Sequence, residues 1–216
     1  MPMQSANEYL CRTESATRKL FDSIDTYVSA LAKAPPPIFS ESIANDADHR
    51  VALERWFTEH EEQVRLSLKA QHDFSAESFA LATLCGCVLQ IAATGIQWFS
   101  HNRAVPADFG SVIKPSSKAV PFCVGRRVRM VPIGLIIYAG RNQFAHLDEN
   151  SLREPNLTVF ERLATKHGYS TDPAVRDPAF DLRNEYLINF SSNVTALIDW
   201  RSYDQYAKDM SAIIGV

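Results

Sequence analysis

A chain of 216 residues with 46% hydrophobic content is long enough for one domain with a sizeable core. Its net charge of −3 excludes a general polycation, so any nucleic-acid site must be a local basic patch. Four cysteines, Cys11, Cys85, Cys87 and Cys123, fit neither a disulfide framework nor a zinc site. Cys85 and Cys87, inside an apolar run, read as small buried thiols, and the set fits a reducing, cytoplasmic compartment.

The spacing predicts a first helix over 4–34, with Leu10, Leu20, Ile24, Tyr27, Val28 and Leu31 on its apolar side. Pro35, Pro36 and Pro37 cannot continue it and form a stiff connector. Residues 1–34 thus read as an N-terminal element, either packed on a helical bundle over 46–216 or reaching to a partner. No basic stretch followed by an apolar run opens the chain, so no secretory signal is expected. Leu53, Trp56, Phe57, His60, Val64 and Leu68 keep helical spacing over 46–73. Asp73, Phe74 and Ser75 mark a break, with Ser75 and Ser78 as a cap region for a third helix over 76–100. No Asp, Glu, Lys or Arg occurs from Ser78 to Asn102, which is long enough to span a bilayer. Thr83, Gln90, Thr94, Gln97 and His101 dilute that run, so a buried central helix is expected and no membrane span.

Residues 102–131 hold Pro106, Pro115 and Pro121 with Gly110 and Gly125. They read as one long irregular loop, either functional or a poorly ordered insertion, with strands around 120–123 and 128–131. Arg126, Arg127 and Arg129 form the densest basic cluster and are the candidate RNA-binding residues. A helix over 133–147 follows. At about 100° per residue, Ile133, Ile137, Gly140, Phe144 and Leu147 share an apolar stripe, while Tyr138, Asn142, His146 and Glu149 lie opposite. A short helix over 157–166 stops at Gly168, and a helical region is expected over 180–200. Ser202 to Gln205 is a capping box that opens a last helix to 214. The expected fold class is all-α: an up-and-down helical bundle with short accessory helices and one long irregular loop before the 133–147 helix.

That helix ends in Arg141-Asn142-Gln143-Phe144-Ala145-His146. A permanent cation and a proton-transfer group stand close together there, and phosphodiester cleavage without a metal needs both. Asn142 is one turn from His146, but Arg141 lies about 140° around the helix from it. A dimer would close that gap. Tyr138 and Glu149 share the His146 face and are supporting candidates. Neither a Gly-rich phosphate loop nor a metal-ligand spacing is present, so no cofactor and no metal are expected.

Arg141-Asn142-x-x-x-His146 on a late helix resembles the R-N-x-x-x-H signature of HEPN domains. The resemblance is carried by these residues and, more generally, by helical character over roughly 47–200. It implies a small α-helical bundle that dimerises and cuts RNA without a metal, of the toxin–antitoxin or defence type. Arg141, His146 and Asn142 would be catalytic, RNA the substrate, and a cognate antitoxin or regulatory protein a further partner. The alternative is a catalytically inactive helical dimer that holds a nucleotide, nucleic acid or partner protein.

Overall fold

A computed structural model describes residues 3–32, 36–40, 46–147, 152–170, 172 and 174–215. The protein is all-α: among the described residues there are seven α-helices and a single two-stranded hairpin. The chain divides into two compact units. One comprises the residues up to Ser23 and those from Ala80 onward; the other is Ile24–Phe79.

The smaller unit holds the end of α1 (Ala6–Ala32), α2 (Asp46–Glu59) and the start of α3 (Glu61–Phe99). Only His60 separates α2 from α3, and the ladder runs through it, with the Val64 amide bonded to the His60 carbonyl. The break expected at 73–75 is not there. The Ser78 hydroxyl donates to the Ser75 carbonyl (2.8 Å) instead of capping a new helix, and Lys69 pairs with Asp73 one turn on (2.7 Å). Both bonds suit an unbroken helix. Ile24 and Ala52 are buried here, Trp56 stacks on His60, and Val51, Phe57, Leu66 and Leu68 stay exposed.

The larger unit carries the main core. In α1 the buried stripe is Tyr9, Thr17 and Phe21, residues that the expected apolar side omitted. Tyr9 donates its hydroxyl to the Ile91 carbonyl (2.6 Å), and burial pushes its pKa up to about 12. In α3, Val88, Leu89, Ala92 and Ile96 are wholly buried. This helix is long and apolar enough to cross a membrane, but 56% of that apolar window is buried within the protein, as a core helix requires. Gly86 lies so close to Phe144 that a Cβ would stand 2.4 Å from the ring. Cys85 and Cys123 are buried free thiols, each pushed up to about 11 by burial, which keeps them unreactive.

Residues 102–131 are not a loose insertion. Two 3-10 turns, Ala107–Phe109 and Val120–Phe122, bury Phe109, Val120 and Phe122, so the first expected strand is a turn. A hairpin follows, with β1 (Arg127–Val128) antiparallel to β2 (Val131–Pro132) and Val128 opposite Val131. Its two-residue loop, Arg129-Met130, has φ of 48° and 64°. Positive φ at both positions is the type I′ geometry that matches strand twist, yet neither residue is glycine. Met130→Gly is therefore expected to raise stability by about 1 kcal/mol. A urea midpoint that stays level or falls would mean the loop does not carry this strain.

Helix α4 (Ile133–Ala145) packs on the second 3-10 turn, on α5 (Asn156–Thr165) and on α6 (Ser191–Leu197). Gly140 admits Leu89 and Val194, since a Cβ there would lie 3.0 Å and 3.1 Å from them. The helix expected over 180–200 is confined to α6. Upstream, Asp177, Asp181, Asn184 and Asn189 each accept a hydrogen bond from the backbone amide two residues on. Four such side-chain turns in succession compete with the helical ladder and hold 177–190 irregular. The last helix, α7 (Tyr203–Ile214), starts as expected at Ser202, whose hydroxyl accepts from the Gln205 amide.

Candidate functional site

Helix α4 is buried almost all round rather than along one stripe, because Asn142 and Gln143 are buried as well as the apolar residues. Tyr138 is half-buried, its ring centroid 4.8 Å from that of Phe122, so it packs on the 3-10 turn. Gln143 spends both ends of its amide on one segment. It donates to the Ile188 carbonyl (2.6 Å) and accepts from the Phe190 amide (3.1 Å). Asn142 looks toward α5 and donates to Asn156 Oδ1 at 3.2 Å. Its own Oδ1 accepts from Arg141 Nη1 at 2.8 Å.

This last bond changes the geometry read from the helical wheel. Arg141 leaves the helix about 140° from His146. Its guanidinium is then drawn round toward Asn142, which stands one turn before His146. Because His146 leaves helical φ and ψ as the C-cap, the ideal-helix offset does not by itself fix how the two side chains stand. His146 ends the helix as its C-cap, with φ of −130°, and its ring is exposed. Glu149, with Asp148, lies outside the described residues.

Arg141 also differs from its neighbours in charge balance. Arg126, Arg127, Arg129, Arg162, Arg176 and Arg183 each sit within 3.0 Å of a carboxylate. Half-buried Arg141 bonds to a neutral amide, and its Nε is buried with no hydrogen-bond partner. Among the described residues its charge is uncompensated. A buried, unmatched donor on a cation favours an anionic oxygen.

The three arginines before α4 do not form one patch. Arg126 turns to Asp209 (2.9 Å) and the Ile198 carbonyl (2.5 Å), and Arg127 to Asp108 (3.0 Å). Arg129 turns to Asp177 (2.7 Å) and the Leu163 carbonyl, with Phe180 beneath it at 4.9 Å. They diverge because alternate residues of a hairpin point to opposite faces, and the tight loop re-aims the last. Each has a carboxylate partner within the chain, so the three act as staples, while the side chains of Arg126 and Arg127 stay 44% and 43% exposed.

Hydrogen bonds from Arg127, then from Arg162, hold Asp108 down to about 2 against the contrary pull of desolvation. A depressed carboxyl adds stability above its unfolded value of about 3.9 and loses it as pH falls through the folded value. Asp108→Asn should therefore be less stable than wild type at about pH 5, with the gap closing toward about pH 2. Urea midpoints across that range check this. A gap independent of pH would remove the ionic origin.

Sequence reasoning missed Asn156 and the Gln143 bonds. An asparagine just after Pro155 at a helix start was the available signal, but its partner lies 14 residues upstream. The chain matches no family model, and no curated protein or solved structure gives a significant match.

Proposed function

We propose that this protein is a metal-independent endoribonuclease acting through Arg141 and His146. The observation that carries this reading is the tether Arg141–Asn142–Asn156. It holds a guanidinium that has no carboxylate partner among the described residues, near the end of the helix that His146 caps. His146 accepts the proton of a ribose 2′-hydroxyl, or delivers one to the leaving 5′-oxygen. The 2′-oxygen attacks phosphorus and the P–O5′ bond breaks, leaving a 2′,3′-cyclic phosphate and a 5′-hydroxyl. Arg141 braces the phosphorane oxygens as their charge rises. A homodimer supplies one imidazole for each proton transfer. The same reading places the protein in the cytoplasm, in a toxin or defence role with a regulatory partner.

The test is purified protein with a mixed RNA pool in EDTA, beside His146→Ala. Fragments bearing cyclic phosphate ends are expected from wild type alone. Indistinguishable RNA profiles from the two proteins would sink the nuclease reading. RNA retained uncut by both would leave the inactive binding module as the better account.

A further inference from the structure

The ladder that passes His60 lets one helical count run from α2 into α3. At about 100° per residue, Phe57, Val64, Leu68, Ser75 and Phe79 fall within about 60° of one another. The stripe lies wholly inside the smaller unit. Phe57, Leu68 and Phe79 are 48%, 59% and 61% exposed, and Val64 is half-buried. The unit packs on itself through another face of the same stretch, where Ala52 and Ser67 are buried. Large apolar side chains aligned in water mark a contact surface, whereas scattered ones do not.

Phe57, Leu68 and Phe79 stand in two equal steps of 11 residues. That repeat nearly matches the helical turn, so the stripe stays almost straight for about 33 Å. It also has the same order from either end: aromatic, leucine, aromatic. A two-fold axis through Leu68 lays it antiparallel on its own copy, with Phe57 against the partner's Phe79. The relief of the surface fits that pairing. Phe57, Thr58, Glu61 and Val64 line a hollow of about 290 Å³. Four residues of one helix are what receive a single side chain from a facing helix. Side chains lean toward the N-terminus of their own helix. In an antiparallel partner, that lean carries Phe79 from Phe57 toward Glu61 and over the hollow. Charge selects the same direction. Antiparallel pairing sets Glu61 opposite Ser75, whereas parallel pairing sets Glu61 on Glu61.

We propose that this stripe is the contact between two copies of the chain, paired antiparallel about Leu68, with the partner's Phe79 seated in the Phe57–Val64 hollow. The proposal goes beyond the ribonuclease reading and does not rest on it. A single strip of this length is at the low end of specific interfaces, so the dimer is reversible in the micromolar range.

The experiment reads mass and cross-links, not cleavage. Sedimentation of the full chain from about 1 to about 100 µM should show monomer passing to dimer. Leu68→Glu sets two like charges together on the axis and should raise the dissociation constant at least tenfold, by roughly the cost of one such clash. Leu68 is exposed, so the circular dichroism of that variant should be unchanged. Orientation is read with a short bismaleimide in a Cys11→Ser background, which removes the exposed native thiol. Leu68→Cys should link to itself. Phe57→Cys alone should not, while a mixture of Phe57→Cys with Phe79→Cys should. Monomer alone at the highest concentration would overturn the pairing and leave the stripe to a partner of other chemistry. A dimer that Leu68→Glu leaves intact would also overturn it, as would Phe57→Cys linking to itself as readily as Leu68→Cys.

Discussion

Gly134→Ala is expected to cost the fold about 3 kcal/mol, at the upper end of ordinary overpacking. A Cβ at this position would stand 2.3 Å from the Phe122 carbonyl oxygen and 3.1 Å from the Val124 oxygen. Both are backbone atoms, so no rotamer change makes room. The Gly134 amide is also bonded to the Val124 carbonyl (3.1 Å), which fixes the start of α4 against the chain before the hairpin. Relief would require α4 to move away from the second 3-10 turn, and that motion would open the contact between Tyr138 and Phe122. Gly110→Ala is the control. There a Cβ would meet only the Ala107 oxygen, at 3.4 Å, and the change should stay within about 0.5 kcal/mol. Equal urea midpoints for the two variants would mean that α4 does not start under this steric limit.

The larger functional effect is expected at the end of the same helix. His146→Ala should lower RNA cleavage by about 10²–10⁴-fold, the usual worth of a positioned acid or base. Arg141→Ala should lower kcat by about 10²–10³-fold, as for a lost donor to a developing oxyanion. Arg141→Lys should recover only part, because an ammonium lacks the planar fork and cannot reach Asn142 and a phosphate together. Asn142→Ala separates positioning from fold. It releases the guanidinium and leaves Asn156 without its donor, so kcat should fall while single-strand affinity holds. Single-turnover rates and anisotropy read the two quantities apart. Affinity falling in step with kcat would make Asn142 a binding or folding residue rather than the tether.

How far these features could be read in advance depended on the range of the interactions. The ends of α5 and α7 were legible because local chemistry sets them: glycine at 168 after α5, and the Ser202 cap of α7. The unbroken α3 was not, because serine at 75 and 78 suits a cap as well as a hydroxyl bonded back into the helix. The irregular 177–190 segment was missed for the opposite reason. Its Asp and Asn residues fill helix-like spacing but spend their side chains on local turns. In the candidate site, the motif itself stands in the sequence. What it does not reveal is that Asn142 is buried, since that depends on α5 arriving from outside the motif. Composition gave the three arginines before α4 as a cluster, and only their partners at 108, 177 and 209 show why they part.

Those partners bear on how the chain assembles during synthesis. Arg126 is translated 83 residues ahead of the carboxylate it needs, while Arg127 finds Asp108 already made. The hairpin therefore leaves the ribosome with one cation matched and two waiting. Asp177 must follow before Arg129 is satisfied, and Asp209 before Arg126 is. Closure over such separations is slow, because chain entropy is lost before the contact repays it. A nascent chain stalled before residue 209 would hold α4 beside an unmatched guanidinium. Its amides would exchange faster than those of a chain carried through α7.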